Sequence, residues 1–175
     1  MEKSYQNDKK ENFSATIWKR ICSIFTKGET EMGAKYSAKD IAEHVVTKCV
    51  REQEPITNLH LQKILYFIQR DYVKKIGEPL FADEFEAWKF GPVVPCIYYE
   101  FSRYGSQPIT KDFGHMIEDE SVTTCINPII ETKRKLNPWD LVEDVHKSGG
   151  AWNKVFDNGK GYRRIITIDL IRMDN

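Results

Sequence analysis

Cysteine is scarce and scattered. The chain has 175 residues and four cysteines, Cys22, Cys49, Cys96 and Cys125, with no Cys-x-x-Cys among them. That spacing argues against a disulfide framework and against a zinc knuckle, and for idle or buried thiols in a reducing cytosol. An excess of one charge is lacking too, since 26 basic and 26 acidic side chains cancel. A protein that neutralises many phosphates carries a basic excess, so nucleic acid is not the expected partner. No apolar run is long enough to span a bilayer, and the polar, charged first twelve residues do not read as a signal peptide. The Asn12-Phe13-Ser14 sequon therefore has no secretory context, and a cytoplasmic location is expected. His44, His60, His115 and His146 stand at no metal-ligand spacing, and no His-Glu-x-x-His occurs. With no legible nucleophile–base arrangement, a non-enzymatic protein without metal or cofactor is expected.

What is present is apolar and aromatic area. A hydrophobic fraction of 41% and an aromatic fraction of 12% suit a folded chain with a real core. Residues 1–12 are polar. Residues 13–27 read as an amphipathic helix whose stripe is Phe13, Ile17, Ile21 and Ile24, flanked by Trp18 and Phe25. Gly28 ends it, a polar linker follows, and Met32-Gly33 looks like a second beginning. The expected organisation is an extension over 1–31 and a domain over 32–175. The stripe has to bury its face: on its own domain, in a partner's groove, or against a second copy of the chain. Phe13, Ile17, Trp18 and Ile21 are accordingly candidate contact residues. Lys19, Arg20 and Lys27 also permit membrane-surface association, with too little charge for that reading to lead.

Ser37 caps the next helix, with Asp40 in the capping-box position, and Ala38, Ile41, Ala42, Val45 and Cys49 form its apolar stripe. Glu54-Pro55-Ile56 interrupts the chain. Thr57 caps the longest helix, 58–76, whose inward face is expected to be Leu61, Ile64, Leu65, Ile68, Tyr72 and Ile76. Gly77 stops it and Pro79 prevents continuation. A strand is expected over 84–90, with Phe85 and Ala87 on one face and Trp88 and Phe90 on the other. A Gly91-Pro92 bend follows, then a helix over 94–104 carrying Ile97, Tyr98, Tyr99 and Phe101. Pro108–Lys111 and Ser121–Ile126 read as short strands. A helix is expected over 138–147, with Trp139, Val142 and Val145 on one side, and a packed turn at Trp152, Val155 and Phe156. Tyr162–Leu170 reads as a last strand, or residues 165–169 lead into a terminal helix. The class is mainly α (α+β), with a small antiparallel β element.

With these segments placed, several motifs resemble one family. They are Tyr36-Ser37-Ala38-Lys39-Asp40-Ile41-Ala42, the run Ile56-Thr57-Asn58-Leu59-His60-Leu61-Gln62-Lys63-Ile64-Leu65-Tyr66-Phe67-Ile68-Gln69, Gly77-Glu78-Pro79-Leu80-Phe81, and Phe85-Glu86-Ala87-Trp88-Lys89-Phe90-Gly91-Pro92-Val93-Val94-Pro95. Together they resemble the Panacea domain of SocA-like and GepA-like, phage-associated antitoxins, closely over 36–105. Leu141, His146 and Trp152 resemble a weaker motif of the same family, with Ala151 standing where proline is common. The resemblance implies a mainly helical domain that neutralises a cognate protein toxin by direct binding. The alternative it implies is an adaptor or phage-borne inhibitor that engages a host defence protein or a protease of the ClpXP type.

Trp88, Lys89, Phe90, Tyr98 and Tyr99 are the candidate contact residues within the domain, because Trp and Tyr anchor interfaces at low entropic cost. The competing reading is core, to which Phe85, Ala87, Ile97 and Phe101 are assigned. Glu84 and Glu86 read as solvated edge protection rather than an acid–base pair. Gln62 and Gln69 share a helix face and suit either a buried polar pairing, for instance to the Gly91-Pro92 bend, or a solvated flank. His146 reads as a capping or core histidine. Lys160, Arg163 and Arg164 form a small basic cluster, and the helices around Glu54-Pro55-Ile56 superficially resemble a helix-turn-helix whose second helix is too apolar to read DNA.

Overall fold

Capping chemistry starts the first helix where expected. In the computed structural model, which describes residues 34–174, the Ser37 hydroxyl accepts from the Asp40 amide and the Asp40 carboxylate accepts from the Ser37 amide. Helix α1 runs Ala38–Arg51 and α2 runs Asn58–Ile76, capped by Thr57 and ended by Gly77 at φ +92°. The strands are β1 (Phe85–Trp88) and β2 (Gly91–Val93). Next come α3 (Pro95–Phe101), a 3₁₀ turn over Ser102–Tyr104, and α4 (Glu120–Lys133). The chain closes with α5 (Pro138–Val145), α6 (Ala151–Phe156), β3 (Ile165–Ile166) and α7 (Ile168–Arg172). The mainly α class with a small antiparallel sheet holds. The stripe Phe13, Ile17, Trp18 and Ile21 lies outside the described residues.

Helix α2 is the axis of the domain, with α1, α3, α4, α5, α7 and β2 all packed against it. An inward stripe understates its burial. Every residue from Leu61 to Gln69 is buried, including Lys63, Tyr66 and Phe67. A helix covered on all sides has no polar face, so its polar side chains need internal partners. Gln69 Oε1 accepts from the Leu80 amide (3.0 Å), and its Nε2 donates to the Phe81 carbonyl (2.7 Å). Gln62 Oε1 accepts from the Val94 amide (3.0 Å), and its Nε2 donates to Asn58 (3.2 Å). The buried-pairing reading of both glutamines holds, with Gln62 engaging the end of the β2 segment. At the end of α2 the expectation fails: Ile76 is 51% exposed.

The sheet has the order β2-β1-β3, antiparallel throughout. Its hairpin corrects the expected strand over 84–90. Trp88 pairs with Gly91, so Lys89 and Phe90 are the turn, and Gly91-Pro92 begins β2 rather than forming the bend. Gly91 takes φ +104°, the positive value that a glycine supplies at the end of such a connection. A Cβ there would lie 2.7 Å from Val145 Cγ2 and 2.8 Å from Lys63 Nζ, so glycine is also required by close approach.

Two further expectations are overturned. Ser121–Ile126 is not a strand but the first half of α4, and Pro108–Lys111 forms no strand. The β-branched residues of Val122-Thr123-Thr124 are locally strand-like, yet Val122, Ile126 and Ile130 recur every fourth residue and bury against the core. The last strand shrinks to Ile165–Ile166, and the terminal-helix alternative is the one realised, as α7. The stretch read as a packed turn is helix α6.

Candidate partner-binding surface

The β1–β2 hairpin places its aromatics in two separate groups. Phe85 and Ala87 point into the core, as do Ile97 and Phe101 of α3. Trp88 emerges half-buried on the opposite face. Its ring lies 4.9 Å from Tyr98, 6.1 Å from Tyr99 and 6.4 Å from Tyr162, centroid to centroid. The Arg163 guanidinium sits 5.3 Å over the same indole. Glu86 ties this group together: its Oε2 accepts from Trp88 Nε1 (2.7 Å) and from Arg163 Nε (3.0 Å). Glu86 is therefore a structural acceptor, and Glu84 is exposed outside the strand. The two glutamates do not form a paired site.

Phe90 does not share a strand face with Trp88, because it sits in the turn. It is 45% exposed and meets Trp139 edge-to-face at 5.4 Å, with Lys89 Nζ 5.3 Å from its ring centroid. Trp139, expected on one side of its helix with Val142 and Val145, parts from them. It is instead 52% exposed, while Leu141, Val142 and Val145 take the inner side of α5. Lys89 and Phe90 thus stand on one aromatic group, and Trp88, Tyr98 and Tyr99 on the other. Trp139, Tyr162 and Arg163 complete these groups from distant parts of the chain. Indole and phenol side chains at those positions were visible in the sequence, but nothing local announced that they meet the hairpin.

The basic cluster does not act as a unit. Arg163 is engaged by Glu86, and Lys160 lies 3.6 Å from Asp157. Three α-helices meet beneath the hairpin. Lys63 Nζ donates to the Pro92 carbonyl (2.9 Å), and Trp152 Nε1 donates to the Trp88 carbonyl (2.8 Å). His146 ends α5 and stacks face to face on Trp152, with centroids 3.7 Å apart. Its Nε2 is buried without a hydrogen-bond partner, and burial, followed by the nearby Lys63 charge, holds its pKa below the usual histidine range. The capping-and-core reading of His146 stands. His44 is structural as well: its ring accepts from the Ile117 amide (3.1 Å) and meets Asn127 Oδ1 (2.9 Å).

Among the described residues no group of His, Cys, Asp and Glu is arranged to hold a metal ion. No helix among them is long and apolar enough to cross a membrane. What the surface offers is aromatic area, a guanidinium and an ammonium around a rigid hairpin, an arrangement suited to binding.

Comparison with known proteins agrees with the motifs. The family described as "Antitoxin SocA-like, Panacea domain" matches residues 61–153. The chain is 36% identical over 136 residues to Antitoxin SocA of Caulobacter vibrioides (strain NA1000 / CB15N), covering 71% of this chain and 72% of that protein. No solved structure matches. The match spans α2, the hairpin and α3 through α6, so on sequence and relatives together the chain belongs to the SocA-like antitoxin family with the Panacea domain.

Proposed function

We propose that the protein is a non-enzymatic, cytoplasmic antitoxin that neutralises a protein toxin by binding it directly, through the aromatic groups on and beside the β1–β2 hairpin. The observation that carries this reading is the similarity to Antitoxin SocA, joined to exposed Phe90 on a braced turn with exposed Trp139 of α5 packed against it. Large exposed aromatics on a rigid element supply contact area without an ordering cost. Trp88, Tyr98 and Tyr99 extend the contact, and residues 1–31, with the stripe Phe13, Ile17, Trp18 and Ile21, form an extension that adds to it.

The test is co-expression with the product of the adjacent reading frame. Rescue of growth and co-purification of the two chains are expected. A neighbour that is harmless alone and forms no stable complex sinks the proposal. Phe90→Ala and Trp139→Ala should each weaken the complex by about 1–3 kcal/mol, roughly five- to 150-fold, while the thermal midpoint stays within a few degrees. Truncation to residue 32 should weaken co-purification. A complex whose toxin vanishes only when an ATP-dependent protease is present would replace occlusion by delivery.

A further inference from the structure

Lys63 is fully buried in the N-terminal half of α2, and no carboxylate is bonded to it. An ammonium has three N–H donors, and the only acceptor bonded to Lys63 is the Pro92 carbonyl. The protonated side chain therefore leaves two donors without partners in a dry interior, a costly state. The neutral amine needs far less and still donates to Pro92. Its surroundings give no relief. From β2 it faces Gly91 and Pro92, and from the end of α5 it has Val145 and the half-buried imidazole of His146 nearby. One turn along its own helix is Tyr66, whose hydroxyl donates to Asp174, and Asp174 also accepts from the Ala151 amide. Among the acids of α5, Asp144 is taken up by Lys133 and Lys147, and Asp140 and Glu143 are exposed.

We propose that the Lys63 amine is a charge-sensitive latch on the hairpin. As the neutral amine it holds the Pro92 carbonyl and keeps the hairpin closed. On gaining a proton it loosens the hairpin and with it the Phe90–Trp139 surface that the turn presents. The position of the latch explains its reach. Pro92 directly follows Gly91, whose α-carbon abuts the lysine so closely that no Cβ fits between them. The second brace, Trp152 to the Trp88 carbonyl, lies at the other end of the turn and carries no titratable atom. The imidazole of His146, stacked on Trp152, gains its proton below the usual histidine range, so the Lys63 end is the one that responds from neutrality upward. Burial places that response near neutrality, since it brings the amine down to about 7.

The inference rests on the partner-site reading for its consequence alone, because hairpin opening is measured without any partner. Amide hydrogen exchange of the full chain, followed from pH 7 to 9, reads it directly. Intrinsic exchange speeds up about tenfold per pH unit, and closing of the latch makes opening about tenfold rarer over the same step. Hairpin amides from Glu86 to Val94 should therefore exchange at a nearly constant rate. Amides of α1 that open by local fraying, more often than the whole molecule unfolds, should speed up in the ordinary way, and Lys63→Met should restore that acceleration to the hairpin. Carbon NMR of the Lys63 Cε in the wild-type chain provides a reading that needs no variant, with a titration midpoint near neutrality expected. A hairpin that speeds up tenfold per unit in the wild type overturns the latch. So does a Lys63 that stays charged to pH 10, or a hairpin that opens only as rarely as the whole molecule unfolds in urea denaturation.

Discussion

Two single residues carry unusual constraints, and both touch the same spot. Gly91 combines φ +104° with a Cβ position 2.7 Å from Val145 and 2.8 Å from Lys63 Nζ. Gly91→Ala is thus expected to cost about 2–4 kcal/mol in urea denaturation, through overpacking and left-handed backbone together. Gly77→Ala, at φ +92° with nothing within 4 Å, should cost only about 1 kcal/mol. The motif letters at Gly91 and Lys63 were conspicuous in the sequence, but their reason was not. A lysine within a helical run reads as solvated until the surrounding helices are known to close over it.

Elements differ in how much of their structure is local. Helices α1 and α2 begin at Ser37 and Thr57 because side-chain oxygens satisfy the first free amides there. Their start was legible. The connection between α2 and β1 depends on a side chain instead: Gln69 satisfies the Leu80 amide and the Phe81 carbonyl, all buried. Gln69→Ala strands these groups and should cost about 2–4 kcal/mol, with increased protease cleavage between residues 77 and 84 as the local readout. Helix α4 was illegible for the opposite reason. Its Val122-Thr123-Thr124 segment favours a strand locally, and Pro128 stands inside the helix, where it removes a backbone donor. The need to cover α2 made it a helix, and Thr132 Oγ1 donates to the Pro128 carbonyl within it (2.7 Å).

At the scale of the whole molecule, two buried groups of opposite effect shape stability against pH. Lys63 is held down to about 7, whereas an unfolded lysine titrates near 10.4. Between those values the unfolded chain binds the extra proton, so stability rises with pH. Burial pushes the Cys49 thiol up to about 11, against about 8.5 when unfolded, so from there upward Cys49 removes stability at a similar slope. The expected profile gains about 1 kcal/mol from pH 7 to 8.5, because the folded lysine is still half protonated at pH 7 and Cys49 begins to offset it near 8.5, and then levels off. Lys63→Met should abolish the gain and turn the plateau into a decline, as a pH series of urea denaturations would show. Below about 6.5 the lowered pKa values of His44 and His146, both set first by burial, add a further loss as pH falls.

Taken alone, the sequence determined where α1 and α2 start, the glycine stop after α2, the apolar scaffold of Phe85, Ala87, Ile97 and Phe101, and the family. Each of these depends on neighbours a few residues apart or on motif order. Tertiary structure decided the rest. It moved the bend from Gly91-Pro92 to Lys89-Phe90, turned Trp139 outward to meet Phe90, and brought Tyr162 and Arg163 to Trp88. It also enclosed Lys63 on every side. Pairing register, exposure and desolvation depend on which distant segments arrive, and local chemistry does not encode those arrivals.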